Sequence, residues 1–344
     1  MTLLKRIGLG FLILFVLWAL IAILPLPQQV QGDNAFRASH QGPLNIAHGG
    51  SHHLFPESTM EAYCNAFNID PDVVFEADLV LTRDKVLVIS HDRTFDRNSD
   101  LPPGQEAHLV DYQFLIENRV NFAFNSPLDG PNGFRIGDLV PYTNHLGETV
   151  NPTDVACPSS VTSRDDEVFL ITTIEELVRA FPTQRYVLEI KQFGDLGAEA
   201  LATLLTLFDA LNEEMEDDLY SRVLLSSFHR DIYDLLVEAK QTTHPNLLFS
   251  PQEDGVYQYF ILHHLRLTQF FRAPIAALQV PQSSGGFTLN TRLFVRTAQR
   301  HNIAVHYWTV NDEDQMRQLI ALGVDGIITD RVDLLRQILD ELED

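Results

Sequence analysis

Residues 73–81 read Val-Val-Phe-Glu76-Ala-Asp78-Leu-Val-Leu, a short apolar, β-rich run that carries two carboxylates. In an extended strand alternate side chains share a face, so Glu76 and Asp78 at i and i+2 point the same way. Similar runs recur at 45–48, 86–91, 186–191, 223–228, 246–249, 276–280, 304–310 and 326–329. Most are separated by enough chain for a crossover helix, which argues a parallel sheet. About eight such units in roughly 250–300 residues predict an α/β fold of the (β/α)₈ TIM-barrel type rather than an open doubly wound sheet. No Gly-x-Gly-x-x-Gly follows a strand, so the dinucleotide reading loses its support. The rhythm breaks over 93–167, where Leu101-Pro102-Pro103-Gly104, the 127–133 stretch and Asn151-Pro152 are all turn-forming. That length and composition predict an inserted subdomain.

The 344 residues carry 24 Lys and Arg against 47 Asp and Glu, a net charge of −23. A phosphate backbone needs a basic face, so no nucleic-acid partner is expected. Hydrophobic residues at 45% and charged residues at 21% fit a globular chain with a large core. Cys64 and Cys157 are too few for a disulfide scaffold and lack paired zinc spacing; two unpaired buried thiols are expected in preference to one disulfide.

An uncharged apolar run from Ile7 to Leu24 follows Lys5 and Arg6 and ends before Pro25. Eighteen residues rise about 27 Å, close to the ~30 Å hydrocarbon core, so one N-terminal transmembrane helix is expected. The basic flank places the N-terminus in the cytoplasm and the rest outside, periplasmic or extracellular. A cleaved signal peptide is the competing reading, but no small-x-small site follows promptly. The expected organisation is an anchor over 1–26, a linker over 27–43 and a barrel domain over 44–344 with its insertion at about 93–167.

Barrel enzymes place their chemistry at the C-terminal ends of the strands. There the sequence sets His48, the Glu76 and Asp78 pair, His91, and Glu189 with Lys191. Three carboxylates converging on one mouth repel one another unless a cation joins them, and an all-oxygen set suits Mg²⁺ or Ca²⁺. Taken singly, each of these residues has an ordinary structural explanation, such as a surface ion pair for Glu189 and Lys191. Their joint order carries the argument.

That order is Ala47-His48-Gly49-Gly50, Pro56-Glu57-Ser58-Thr59, Glu76-Ala77-Asp78, Thr82-Arg83-Asp84, His91-Asp92, Leu188-Glu189-Ile190-Lys191, Trp308-Thr309-Val310-Asn311 and Gly323-Val324-Asp325-Gly326-Ile327-Ile328-Thr329-Asp330. It resembles the glycerophosphodiester phosphodiesterase family from residue 45 to the C-terminus, insertion excepted. The resemblance implies a TIM barrel that splits glycerophosphodiesters into glycerol phosphate and an alcohol with a divalent metal. It further implies Glu76, Asp78 and Glu189 as metal ligands, His48 and His91 as the acid and base pair, Lys191 as a phosphate contact and Trp308 bordering the substrate pocket. Two departures stand out. The family arginine after the first histidine is Gly49 here, with His52, His53 and Arg93 as possible substitutes, and the family Asn is Ser58, which can still cap the following helix.

His306 shares the strand face of Trp308 and is equally well read as barrel filling. The aromatic stretch Tyr257, Tyr259, Phe260, Leu262, Leu265, Phe270 and Phe271 reads as an amphipathic barrel helix. Three functions are carried forward: a phosphodiesterase acting on deacylated headgroups; a lysophospholipase D on membrane lysophospholipids, its acyl groove lined by Phe114, Phe122, Phe124 and Phe134 of the insertion; and a non-catalytic binding protein, motivated by Gly49.

Overall fold

A computed structural model describes residues 3–22, 24, 26–39, 42–96, 103–117, 142–151, 155–161 and 169–343. Eight parallel strands form a nearly closed barrel: β1 Leu44–Ala47, β2 Val74–Leu81, β3 Arg185–Ile190, β4 Val223–Ser226, β5 Leu248–Phe249, β6 Ala277–Val280, β7 Ala304–Tyr307 and β8 Gly326–Thr329. They pair in the order β5-β4-β3-β2-β1-β8-β7-β6. Between β5 and β6 no ladder forms; Ala276 N–H donates to Phe249 O at 2.8 Å and Ser250 Oγ to Gln279 Oε1 at 2.9 Å.

The helices are α1 Leu3–Ala22, α2 Met60–Ile69, α3 Tyr112–Glu117, α4 Ile174–Ala180, α5 Gly194–Met215, α6 Arg230–Thr242, α7 Glu253–His264, α8 Arg292–Arg300, α9 Glu313–Leu322 and α10 Val332–Glu343. From α4 onward they alternate with the strands, the pattern read from the sequence. One strand run does not join the barrel. Leu87–Ile89 pairs antiparallel to β2, with Leu79 opposite Ile89. Only a tight turn separates the two strands, closed by Thr82 N–H on Val86 O at 3.0 Å, and a turn of that length cannot return a strand in parallel.

Period two sorts each strand. Phe75, Ala77 and Leu79 face the helices, and Tyr186, Leu188 and Ile190 do the same on β3. The inner face carries Ile46, Val74, Val187, Leu224 and Ile328 as an apolar layer around Phe36. Above that layer the inner positions turn polar: Glu76 and Asp78 on β2, Glu189 on β3. Phe36 belongs to a segment that closes the opposite, N-terminal end. Asn34 Nδ2 donates to Ala276 O at 2.8 Å, Arg37 Nε to Asp325 Oδ1 at 2.7 Å, and Arg185 Nη1 to Ala35 O at 2.9 Å. His306 sits fully buried in this lower stack, its Nε2 2.9 Å from the Phe36 carbonyl, which fixes Nε2 as the protonated nitrogen. It is barrel filling and does not reach the mouth.

Two expectations need correction here. Among the described residues no helix is long and apolar enough to cross a membrane. The sequence run counted residues up to Leu24, whereas α1 ends at Ala22, so Ile7 to Ala22 rises only ~24 Å. Trp18 Nε1 instead donates to Leu265 O at 2.8 Å. The two cysteines are not free thiols: Cys64 and Cys157 form a disulfide across a sequence separation of 93. Cys64 lies on the buried face of α2, and the 155–161 segment is laid over that helix by Asn68 Nδ2 on Ala156 O at 2.6 Å. The bond ties the insertion to the barrel.

Closing so long a loop restricts the unfolded chain, so Cys64→Ser is expected to lower unfolding free energy by about 2–4 kcal/mol in a denaturant titration. Two titratable thiols in the denatured, unreduced wild-type protein would refute the pairing.

Candidate active site at the barrel mouth

β2 and β3 pair in parallel with Asp78 opposite Glu189 and Glu76 opposite Val187, so two inward carboxylates share one level and a third stands one inward position below them. Glu76 and Asp78 are buried. Lys191, one inward position beyond Glu189, sets Nζ 3.1 Å from Glu189 Oε1 and 3.3 Å from Asp78 Oδ1. Burial first, and then the Asp78 charge, push Glu76 up to about 8 and Glu189 up to about 7. Gly49 N–H donates to Glu76 Oε2 at 2.9 Å and moderates that rise. Lys191 is held well above its ordinary range, since the Asp78 and Glu189 charges outweigh the opposing effect of burial. The donor set is all oxygen and short of positive charge, which fits a hard divalent cation.

His48 follows β1 and Asp330 follows the adjacent β8. Their side chains meet at 2.7 Å between Nδ1 and Oδ1. Burial opposes a charged imidazole, but the Asp330 hydrogen bond and the Glu76, Asp330 and Asp78 charges overcome it and push His48 up to about 10. Asp330 is held far below the carboxylate range by the His48 and His52 imidazoles, against its own burial. Asn311 fixes its orientation: Asn311 Nδ2 donates to Asp330 Oδ2 at 2.6 Å, and Asp330 N–H donates back to Asn311 Oδ1 at 2.9 Å.

His91 arrives from the antiparallel strand rather than a barrel strand. Ser90 N–H on Asp78 O at 2.9 Å sets it at the carboxylate level, and its Nδ1 lies 2.8 Å from Asp92 Oδ1. Its side chain is 43% exposed. His48, His91, Glu76, Asp78, Glu189, Lys191 and Trp308 all line one cavity of about 800 Å³. The far wall of the same cavity is apolar, built from Tyr257, Phe260 and Ile261 of α7, Phe287 of the hairpin that pairs Ser283–Ser284 with Phe287–Thr288, Leu289 and Phe228. Phe228 meets the Trp308 ring edge-on at 6.3 Å.

Only the first part of the aromatic stretch is helical: α7 buries Tyr259 and His263 against the barrel and leaves Tyr257 and Ile261 on the open side, while Leu265, Phe270 and Phe271 lie beyond its end. Of the phenylalanines expected to line an acyl groove, the structure describes one. Phe114 lies on α3 and does not line the cavity, while Phe122, Phe124 and Phe134 lie outside the described residues.

None of the three substitutes named for the family arginine lines the cavity. His52 and His53 turn toward Asp330, at 3.3 and 3.4 Å, and Arg93 stacks on the Phe193 ring at 4.8 Å. Gly49 has φ +56°, and a Cβ there would stand 3.1 Å from Glu57 Cβ, so a side chain at this position is strained before it reaches anything. Ser58 does not cap α2 either. Thr59 is the N-cap, accepting from Ala62 N–H, while Ser58 takes φ +65°, a conformation Asn tolerates better than Ser. Asp330 and Asn311 were quoted in the sequence motifs without a role. Asp330 directly follows a strand-ending threonine, the signal that singled out His48.

A family model described as the glycerophosphoryl diester phosphodiesterase family matches residues 48–334. The chain is 29% identical over 179 residues to "Probable glycerophosphodiester phosphodiesterase 2" of Mycobacterium tuberculosis, covering 49% of this chain and 60% of that relative. It is 25% identical over 305 residues to a lysophospholipase D of Homo sapiens, covering 86% of this chain and 85% of the relative. Among solved structures it superposes on an Oleispira antarctica phosphodiesterase in complex with the product sn-glycerol-3-phosphate, with TM-score 0.57, 21% identity, and 87% and 97% of the two chains covered. A glycerophosphodiester phosphodiesterase of Thermotoga maritima gives TM-score 0.54 and 20% identity over 86% and 98%. With the match spanning β2 to β8 and every mouth residue just described, the chain belongs to the glycerophosphoryl diester phosphodiesterase family, and with it to the phosphoric diester hydrolases.

Proposed function

We propose that this protein hydrolyses glycerophosphodiesters to glycerol phosphate and an alcohol, with Glu76, Asp78 and Glu189 holding a divalent metal and His48 and His91 exchanging the proton. The observation that carries this is the convergence of three buried or nearly buried carboxylates, one lysine and two histidines on a single cavity. Bound there, Mg²⁺ or Ca²⁺ would neutralise the phosphodiester and stabilise the negative charge on the phosphoryl oxygens in the transition state. Lys191 adds a fixed positive charge beside the same place.

The histidines divide the proton work by their surroundings. Asp330 on Nδ1 leaves Nε2 of His48 for the substrate, and that hydrogen bond to a carboxylate favours the protonated ring. His48 is therefore the acid that protonates the leaving alcohol. His91 takes the proton of the neighbouring glycerol hydroxyl, whose oxygen attacks phosphorus. The cyclic phosphate that results is opened by water with the two roles exchanged. Trp308 borders the glycerol or leaving-group pocket.

A second substrate class has its own support. The apolar wall of Phe228, Tyr257, Phe260, Ile261 and Phe287 lies in the same cavity as the charged groups, where a monoacyl substrate would lay its chain. Similarity to a lysophospholipase D agrees with that reading. For localisation we propose an oxidising, non-cytoplasmic compartment, supported by the disulfide.

Purified protein is expected to hydrolyse glycerophosphocholine and to lose that activity on chelation, with lysophosphatidylcholine assayed alongside to rank the two classes. Turnover that survives exhaustive chelation would remove the metal assignment. His48→Ala and His91→Ala should each lower kcat by ~10² or more while metal still binds; near-normal turnover would leave that residue a packing role. A pH dependence follows from Glu76 and Glu189, whose values in the folded metal-free protein, about 8 and about 7, exceed the ordinary carboxyl value. The folded state then binds more protons than the unfolded one, so metal-free stability falls as pH rises from about 5 to about 8. Metal uptake must expel those protons. Calorimetry in buffers of different ionisation enthalpy should show proton release at pH 6.5 and affinity rising toward pH 8; pH-independent affinity would contradict the ligand set.

A further inference from the structure

His48-Gly49-Gly50-Ser51-His52-His53 is a histidine-rich turn whose second and third histidines the hydrolytic reading leaves unused. Gly49 and Gly50 have φ of +56° and +88°, and these two left-handed residues curl the chain so that the His52 ring returns to 6.2 Å from the His48 ring. Both rings then face Asp330: His48 Nδ1 lies 2.7 Å and His52 Nδ1 3.3 Å from Oδ1, while His53 Nε2 lies 3.4 Å from Oδ2. The three donor atoms of His48, His52 and Asp330 all fall within 4.8 Å of one another. A tetrahedral ion with ligands at ~2.1 Å requires donor spacings of ~3.4 Å, which these distances approach.

A second observation points to a ligand. His52 Nδ1 is buried and makes no hydrogen bond, although it faces Asp330 and, at 3.6 Å, Glu57. A buried ring nitrogen set beside two carboxylates without a well-formed hydrogen bond to either is better satisfied by a cation held between them. The cluster is also roofed: His145 sets its ring 5.5 Å from His52 and 5.4 Å from His53, and its N–H donates to His53 O at 3.1 Å.

We propose that His48, His52 and Asp330 form a second metal site that takes a zinc-class cation and shuts the hydrolase off. Imidazole donors select Zn²⁺ over Mg²⁺ and Ca²⁺, which the neighbouring carboxylates favour, so two sites of different softness stand side by side. The bound ion takes the Nδ1 lone pair of His48, and the Nδ1 proton leaves to solvent. Nε2 keeps its proton, and the ring can no longer accept another. His48 is then locked in one tautomer and cannot alternate between acid and base. Inhibition rests on the role proposed for His48; binding of the ion does not.

The test uses the full chain saturated with Mg²⁺ and adds Co²⁺ as a visible reporter and Zn²⁺ as inhibitor. One equivalent of Co²⁺ is expected to give the intense d–d absorption of a nitrogen-ligated, low-coordinate site. Zn²⁺ should inhibit Mg²⁺-supported turnover. In His52→Gln the Co²⁺ affinity and the Zn²⁺ inhibition should both weaken by ~10-fold or more, with Mg²⁺ turnover within about twofold of wild type. His53→Ala, which removes one of the contacts that hold the Asp330 carboxylate in place, should also weaken Co²⁺ binding and serves if His52→Gln does not fold. Absence of the Co²⁺ signal, or binding and inhibition unchanged in the variants, overturns the proposal; equal inhibition would place zinc at the carboxylates. Should no substrate be hydrolysed with any metal, the hydrolase reading fails while the Co²⁺ titration still decides the site.

Discussion

The ammonium of Lys191, set between Asp78 and Glu189, lets a barrel with an apolar interior end in a cluster of acids. Inner positions below it are aliphatic, and the carboxylates stand one layer above with little water to screen them. Buried charges of one sign persist only when paired or when they share a cation. Lys191 pairs with two of the three carboxylates, Gly49 offers Glu76 a single backbone N–H, and His48 contributes a positive ring from the next strand. The raised values at Glu76 and Glu189 show that this compensation is incomplete. A mouth left short of positive charge suits a cation, which is the physical basis of the metal site we propose there.

The two ends of the barrel divide the labour expected of this architecture. At the N-terminal end Phe36, Asn34, Arg37 and Asp325 close the sheet with satisfied polar contacts and no cavity-lining residue. His306 belongs there, although it shares a strand face with Trp308 at the other end. One strand therefore spends two inward side chains on two unrelated tasks, and only their height in the barrel tells them apart.

That distinction marks the limit of what was legible in the sequence. Strand periodicity exposed the barrel and the shared face of Glu76 and Asp78, because both follow from side-chain alternation alone. The run at 86–91 was visible as a strand but not as an antiparallel one, since an apolar run reads the same whichever way it pairs. The pairing of Cys64 with Cys157 depends on where the insertion returns over α2, which linear spacing does not encode. The destination of His52 and His53 was hidden for a related reason: it is set by two positive φ angles at Gly49 and Gly50. Residue type permits such angles at glycine without dictating them.

The unladdered seam between β5 and β6 separates what the protein does from what it accepts. The groups to which we assign proton transfer and metal binding all come from β1, β2, β3 and β8, or from the strand folded against β2, an arc with continuous backbone pairing. Most of the apolar wall comes from α7 and the hairpin after β6, segments that flank the seam and carry no share of that pairing, with Phe228 added from just beyond β4. Insertions, deletions or exchanges in the wall can therefore accumulate without shifting the register of the acids. The seam is thus the place where the shape of the cavity wall is mechanically uncoupled from the placement of the charged groups.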